Sequence, residues 1–133
     1  MKSAELVERW DRQQAAYIAD REVLFGVMLD ALELAVGTDF TAVDLACGPG
    51  SLSGRILDRF PDARVVALDH DPMLLELARE HLAGHGDRVR FAGRDATPPT
   101  TVQFQLAALR QAGFAESGTL WQLFDDYVVY GAA

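Results

Sequence analysis

The sequence predicts an α/β protein, a three-layer sandwich on a reduced, mostly parallel sheet of about five strands with a C-terminal antiparallel hairpin. Three observations predict it. Short apolar runs of strand type (Thr41–Leu45, Arg64–Leu68, Val89–Ala92) alternate with segments of helical periodicity, as in consecutive βαβ units. The first run passes directly into Gly48-Pro49-Gly50-Ser51, a strand–glycine turn–helix start of nucleotide-binding type. Near the end of the chain, Thr119–Phe124 and Tyr127–Tyr130 flank Asp125-Asp126 as two strands flank a hairpin turn.

The 133 residues predict a single domain with three parts: N-terminal helices over 1–37, a βαβαβ core over 38–96, and a terminal helix and hairpin over 97–133. Half the residues are hydrophobic and the net charge is −8, which argues against a surface that tracks nucleic-acid phosphates. The single cysteine, Cys47, excludes an internal disulfide and suits a reducing cytoplasm. No apolar run approaches the ~20 residues that span a bilayer, so no membrane partner is expected.

Ser3–Ala19 reads as a first helix with Ser3 as N-cap, lying on the domain surface or serving as a lid whose aromatic residues (Trp10, Tyr17) cover a ligand. Asp20 is placed to cap a second helix running to Val36, with Val23, Leu24, Val27, Met28, Ala31, Leu32 and Ala35 as a core face and Gly37 as its stop. Leu52–Phe60 is the crossover helix, ended by Pro61-Asp62. Arg64–Leu68 is a second strand with a continuous apolar run after Arg64, as a parallel strand buried on both faces should have. Pro72 opens the next helix, Gly84-His85-Gly86 breaks it, and Val89–Ala92 follows as a third strand. Thr97-Pro98-Pro99-Thr100 is a rigid linker, and Thr101–Ala112 reads as a helix stopped by Gly113.

Three acids stand at successive strand ends. Asp44 is placed to accept loop N–H bonds that hold the turn, and a functional reading compatible with this adds recognition of a ligand amino group. Asp69, 19 positions after Gly50, is placed to accept from both hydroxyls of a ribose, although an Asp ahead of Pro72 can also cap a helix, a task that suits Asp71 better. Asp95 lies on the same rim and can accept from an adenine amino group or simply face solvent. Met73 suits either an adenine face or the core. His81 and His85 lack a third ligand nearby, so no metal site is expected. Cys47 has no base spaced to activate it, and no G-x-S-x-G nucleophile elbow occurs.

Gly48, Gly50 and Gly54 form G-x-G-x-x-x-G, a spaced-out version of the dinucleotide-dehydrogenase fingerprint. A second pattern takes in the acids as well. Asp44-Leu45-Ala46-Cys47-Gly48-Pro49-Gly50 resembles the first motif of class I S-adenosylmethionine-dependent methyltransferases, D/E-x-G-x-G-x-G, with Ala46 in place of the first glycine. Asp69-His70-Asp71-Pro72-Met73 resembles their second motif and Gly93-Arg94-Asp95-Ala96 their third. Leu109–Phe114 resembles the helix-to-strand junction near the end of such enzymes.

The resemblance implies a Rossmann-like fold and S-adenosylmethionine as cofactor. The glycine turn with Asp44, Ala46, Gly48 and Gly50 would meet its methionine part, Asp69 the ribose, and Asp95 with Ala96 the adenine, and His70 and Met73 belong to the same cofactor site. It implies methyl transfer to a small-molecule acceptor, with a binding-only reduced core as the alternative and a nicotinamide-dinucleotide domain behind both. No catalytic base is identified. The family places two further strands and their helices between the third motif and the junction, whereas here only Thr97–Thr100 and the start of one helix intervene. The edge beside the first strand then needs a new partner, either the terminal hairpin or a second copy of the chain.

Overall fold

A computed structural model describes residues 2–93, 110–111, 113, 116–123 and 126–132. Asp95, Ala96, the linker and most of the helix expected over Thr101–Ala112 lie outside the described residues. The chain divides into two compact units, Met1–Ala96 and Thr97–Ala133.

The first unit runs α1 (Ser3–Tyr17), α2 (Arg21–Val36), β1 (Thr41–Leu45), α3 (Ser51–Arg59), β2 (Arg64–Asp69), α4 (Pro72–His81), a 3-10 segment over Ala83–Arg88, and β3 (Val89–Gly93). The strands form a parallel sheet of order β1-β2-β3, so α3 and α4 are the crossovers of two βαβ units. In register, Leu45 stands beside Leu68 and Asp69 beside Gly93, which brings the carboxyl ends of the three strands to one rim. Phe60, Ala63, Leu57, Ile56, Val65, Ala67, Leu75, Leu82 and Val89 are the core between this sheet and its helices.

The side chains of β2 alternate. Val65, Ala67 and Asp69 are buried, whereas Val66 and Leu68 are only half-buried. On β1, Val43 and Leu45 on that second face are 40% and 43% exposed. The expectation of a strand buried on both faces is therefore corrected: the described helices that contact the sheet, α3 and α4, follow successive βαβ crossovers, which pack to one side.

Local signals at helix ends differ from the sequence reading in two places. Lys2, not Ser3, is the N-cap of α1, and its backbone N–H donates to Glu5 Oε2 at 3.3 Å. Asp20 does occupy the N-cap of α2, with φ +53, but its carboxylate caps nothing. Gly37 ends α2 at φ +75, a conformation only glycine adopts without strain. Asp71 caps α4, accepting from the N–H groups of Met73 (2.8 Å) and Leu74 (3.4 Å).

The buried face of α2 matches the expected one only in part: Leu32 packs against the core and Leu24 and Met28 are half-buried. Arg21, Phe25 and Leu29 face inward, whereas Val23 and Val27 are exposed. This helix is apolar nearly all round, so hydrophobicity alone does not select a face. Polar partners do: Asp30 and Glu33 pair with Arg59 of α3 at 2.7 Å each, which turns the opposite stripe outward.

In the second unit, β4 (Glu116–Leu123) and β5 (Asp126–Ala132) pair antiparallel from Glu116↔Ala132 to Leu123↔Asp126, with an irregularity between Thr119 and Trp121. The described strands thus form a three-stranded and a two-stranded sheet, where the sequence led us to expect about five strands in one. Among the described residues, no helix is long and apolar enough to cross a membrane.

Candidate functional site

The site begins where β1 ends. Beyond Leu45 the chain must reverse into α3 within five residues, and it does so through three left-handed positions: Ala46 (φ +59), Gly48 (φ +56) and Gly50 (φ +88). Glycine meets this demand at two of them, and Ala46 carries the backbone strain at the third. Cys47 N–H donates to the Leu68 carbonyl at 2.9 Å and Gly50 N–H to the Cys47 carbonyl at 3.0 Å, so the turn is fastened to the end of β2. Gly50 is the N-cap of α3 and has no side chain of its own to cap it. In the first turn the Ser53 backbone N–H is taken by Asp44, and the helix start carries the positive end of the helix dipole.

The two strand-end acids lie together beneath this turn. Asp69, at the tip of β2, accepts from the Gly48 N–H at 2.8 Å through one oxygen and from the Asp71 N–H at 2.9 Å through the other. Each oxygen keeps a further acceptor site. Asp44 accepts from Ser53 Oγ at 2.6 Å, joining the end of β1 to the first turn of α3. Burial pushes the Asp44 carboxyl above its ordinary value; hydrogen bonds from Ser53 oppose that shift and the neighbouring Asp69 charge adds to it. Burial, with the charges of Asp44 and Asp69, pushes the Cys47 thiol up to about 12. Cys47 is thus a neutral thiol at physiological pH, not a nucleophile.

His70 is exposed and its Nδ1 lies 3.4 Å from Asp69 Oδ1. Met73 is 75% exposed on the first turn of α4, so it is not a core residue. Among the described residues no cluster of His, Cys, Asp or Glu is suited to a metal ion.

Sequence reasoning missed part of the surroundings. A Cβ at Gly48 would lie 3.6 Å from Cζ2 of Trp10, so the indole of α1 rests on the glycine turn. Next to it, Asp11 accepts from Ser51 Oγ at 2.6 Å and from buried Arg21 at 3.0 Å. Burial raises the Asp11 carboxyl, but the bonds from Ser51 and Arg21 and the charges of Arg21 and Arg55 outweigh it and hold the group below its usual range. Arg21 and Arg55 lie over the ring of Phe25, at 4.6 and 4.4 Å from its centroid. Aromatic residues on α1 were visible as lid candidates. Partners 10 and 40 positions apart in sequence, as Asp11 has, leave no periodic signal.

A family model described as a methyltransferase domain matches residues 42–122, more than half of the chain. This chain belongs to the methyltransferase-domain family. That membership decides between the two readings of the glycine turn. The methyltransferase domain is 44% identical over 75 residues to a trans-aconitate 2-methyltransferase of Methylobacterium radiotolerans, covering 56% of this chain and 25% of that protein. It is 38% identical over 79 residues to a ribosomal RNA small subunit methyltransferase H of Mycobacterium avium, covering 59% of this chain and 19% of that protein. The chain thus spans a quarter or less of the length of these curated relatives. Its fold resembles that of the S-adenosylmethionine-dependent methyltransferase SibL in its apo form, with a TM-score of 0.54 and 22% identity over 81% of this chain and 35% of that one.

Proposed function

We propose that this domain binds S-adenosylmethionine at the carboxyl ends of β1 and β2 and serves methyl transfer to a small-molecule acceptor. The observation that carries the reading is the bond from the Gly48 N–H to Asp69, which ties the glycine turn to a strand-tip carboxylate. A carboxylate held by two backbone donors is rigid, and its remaining acceptor sites suit two adjacent ribose hydroxyls. The glycine-capped start of α3, at the positive end of the helix dipole, suits the carboxylate of the methionine part. Asp44 adds negative charge near the turn and suits its amino group. Exposed Met73 and His70 flank the direction in which an adenine would extend, and Asp95 and Ala96 are proposed to complete that end. These residues fit the cofactor chemically.

Bound there, S-adenosylmethionine supplies a methyl group already activated on a sulfonium. What the chain contributes is alignment and exclusion of water. Trp10 and the Asp11–Ser51 bond hold α1 across the turn, so α1 is proposed to be the lid. The net charge of −8 supports a small acceptor over ribosomal RNA, since a polyanion would be repelled.

Calorimetric titration with S-adenosylmethionine and S-adenosylhomocysteine tests the reading. Saturable binding of both is expected, with NADH silent. Tight NADH binding without a response to either sulfur ligand would end it.

A second copy is proposed as partner along β1, which has no strand on its outer side among the described residues. Its sequence, Thr-Ala-Val-Asp-Leu, carries none of the lysines or prolines that guard free edges, and its single charge, Asp44, is buried. Sedimentation should show a dimer that Val43→Lys dissociates; a monomer at high concentration refutes it.

A further inference from the structure

At the end of the sheet opposite the glycine turn lies a cavity. It has a volume of about 320 Å³ and is lined by Thr41, Arg64, Val65, Val66, Asp87, Arg88 and Arg90. Thr41 and Arg64 open β1 and β2, and Arg88 and Arg90 flank the start of β3, so the cavity sits at the amino ends of the strands. A five-residue strand separates it from the proposed donor site, roughly 13 Å of chain. The volume falls within the usual range of about 300–1,000 Å³ for small-ligand sites.

Its charge is out of keeping with the rest of the molecule. In a chain of net charge −8, three arginines and one carboxylate line this cavity. Arg88 is held in place by its own backbone surroundings: one guanidinium nitrogen donates to the carbonyls of Leu57, Phe60 and Ala63 at 3.1–3.3 Å. The other reaches Leu57 O at 3.2 Å and His85 Nδ1 at 3.0 Å. None of these partners is a carboxylate, so the positive charge of Arg88 is fixed but not neutralised. Arg90 makes no ion pair among the described residues, and Arg64 makes a loose, exposed one with Asp39 at 3.4 Å. Cross-strand register sets Arg90 beside Val66, so charge and apolar surface adjoin.

We infer that this cavity is a binding site for an organic phosphate monoester. The guanidinium groups of Arg90 and Arg64 suit a dianionic phosphate, which planar arginine forks bind bidentately, and Arg88, whose terminal nitrogens are engaged by carbonyls and His85, adds its fixed positive charge to the cavity wall. Thr41 offers a hydroxyl to a remaining oxygen. Val66, half-buried on the same face as Arg64 and Arg90, provides apolar wall for the carbon skeleton, and Asp87 opposes a second anionic group on the same ligand. The site is separate from methyl transfer and stands whether or not the proposed donor site binds its cofactor.

Calorimetric titration of the full chain with phenyl phosphate at physiological salt tests this, with inorganic phosphate and phenol as comparison probes. Saturable 1:1 binding of phenyl phosphate is expected, at least tenfold tighter than either comparison probe. The double variant Arg64→Ala/Arg90→Ala should weaken it at least tenfold. The charge-matched double variant Arg12→Ala/Arg79→Ala, on the exposed faces of α1 and α4, should leave it unchanged. Equal loss in both variants would reduce the effect to net charge and overturn the site. So would phenyl phosphate binding no tighter than inorganic phosphate, or an Arg64→Ala/Arg90→Ala variant that is folded by circular dichroism and binds like the parent.

Discussion

Gly50→Ala is the most demanding perturbation of the turn. An added Cβ would lie 2.8 Å from Cδ1 and 3.2 Å from Cγ of Leu82, and 3.6 Å from Cβ of Ala78. Leu82 is 1% exposed and packed within the core cluster. Two costs add. A side chain in the left-handed region costs about 1–2 kcal/mol, and over-packing a tight core contact about 1–3 kcal/mol. The expected loss is about 2–5 kcal/mol, against a typical domain stability of about 5–15 kcal/mol. Urea unfolding measures it, and a double-mutant cycle with Leu82→Ala separates the parts. Leu82→Ala alone leaves a cavity and costs about 2–5 kcal/mol. In that background the clash is gone and only the backbone cost of Gly50→Ala remains, so the two changes should couple by about 1–3 kcal/mol. Gly84→Ala, where nothing lies within 4 Å of the added Cβ, is the control and should stay within about 0.5 kcal/mol. A loss at Gly50 no larger than at Gly84, or one unchanged by removing Leu82, would refute the reasoning.

Three further outcomes are expected. Asp69→Ala should weaken S-adenosylhomocysteine binding by about 1–3 kcal/mol, the scale of a lost charged hydrogen-bond partner, as read by calorimetry; undiminished affinity refutes the ribose role. Asp44 binds its proton more tightly folded than unfolded, so stability declines as pH rises from its ordinary value of 3.8 through the higher native one. Asp44→Asn keeps an acceptor for Ser53 and should lose this decline, so its stability relative to the parent improves across that window in urea titrations at stepped pH. In a Trp121→Phe background, which leaves Trp10 as the sole tryptophan, Asp11→Asn should loosen α1 and raise acrylamide quenching of Trp10; unchanged quenching would mean that the Asp11–Ser51 bond does not hold the helix.

The βαβαβ core was legible because each of its signals is local. Pro72 with Asp71 before it, Gly37 after an apolar helix and two glycines after an apolar strand each dictate a backbone geometry that only a few residue types accept. The positions of Asp44 and Asp69 followed from strand ends for the same reason. Their actual partners, Ser53 and Gly48, were not legible, because those bonds depend on how the turn folds back over two strands. The face of α2 was misread in part since apolar residues surround that helix, and distant ion pairs with Arg59 decide what turns inward. The arginine cavity escaped notice altogether. Its residues come from three strand starts, and single charged residues there read as ordinary surface.

The most direct measurement is a map of backbone amide shifts in the isotope-labelled chain during titration with S-adenosylhomocysteine. The largest saturable shifts should fall at Gly48, Gly50, Ser51 and the 69–73 segment, together with the Trp10 indole N–H. Binding that moves none of these amides, or that moves only residues at the amino ends of the strands, would contradict a donor site built on the glycine turn.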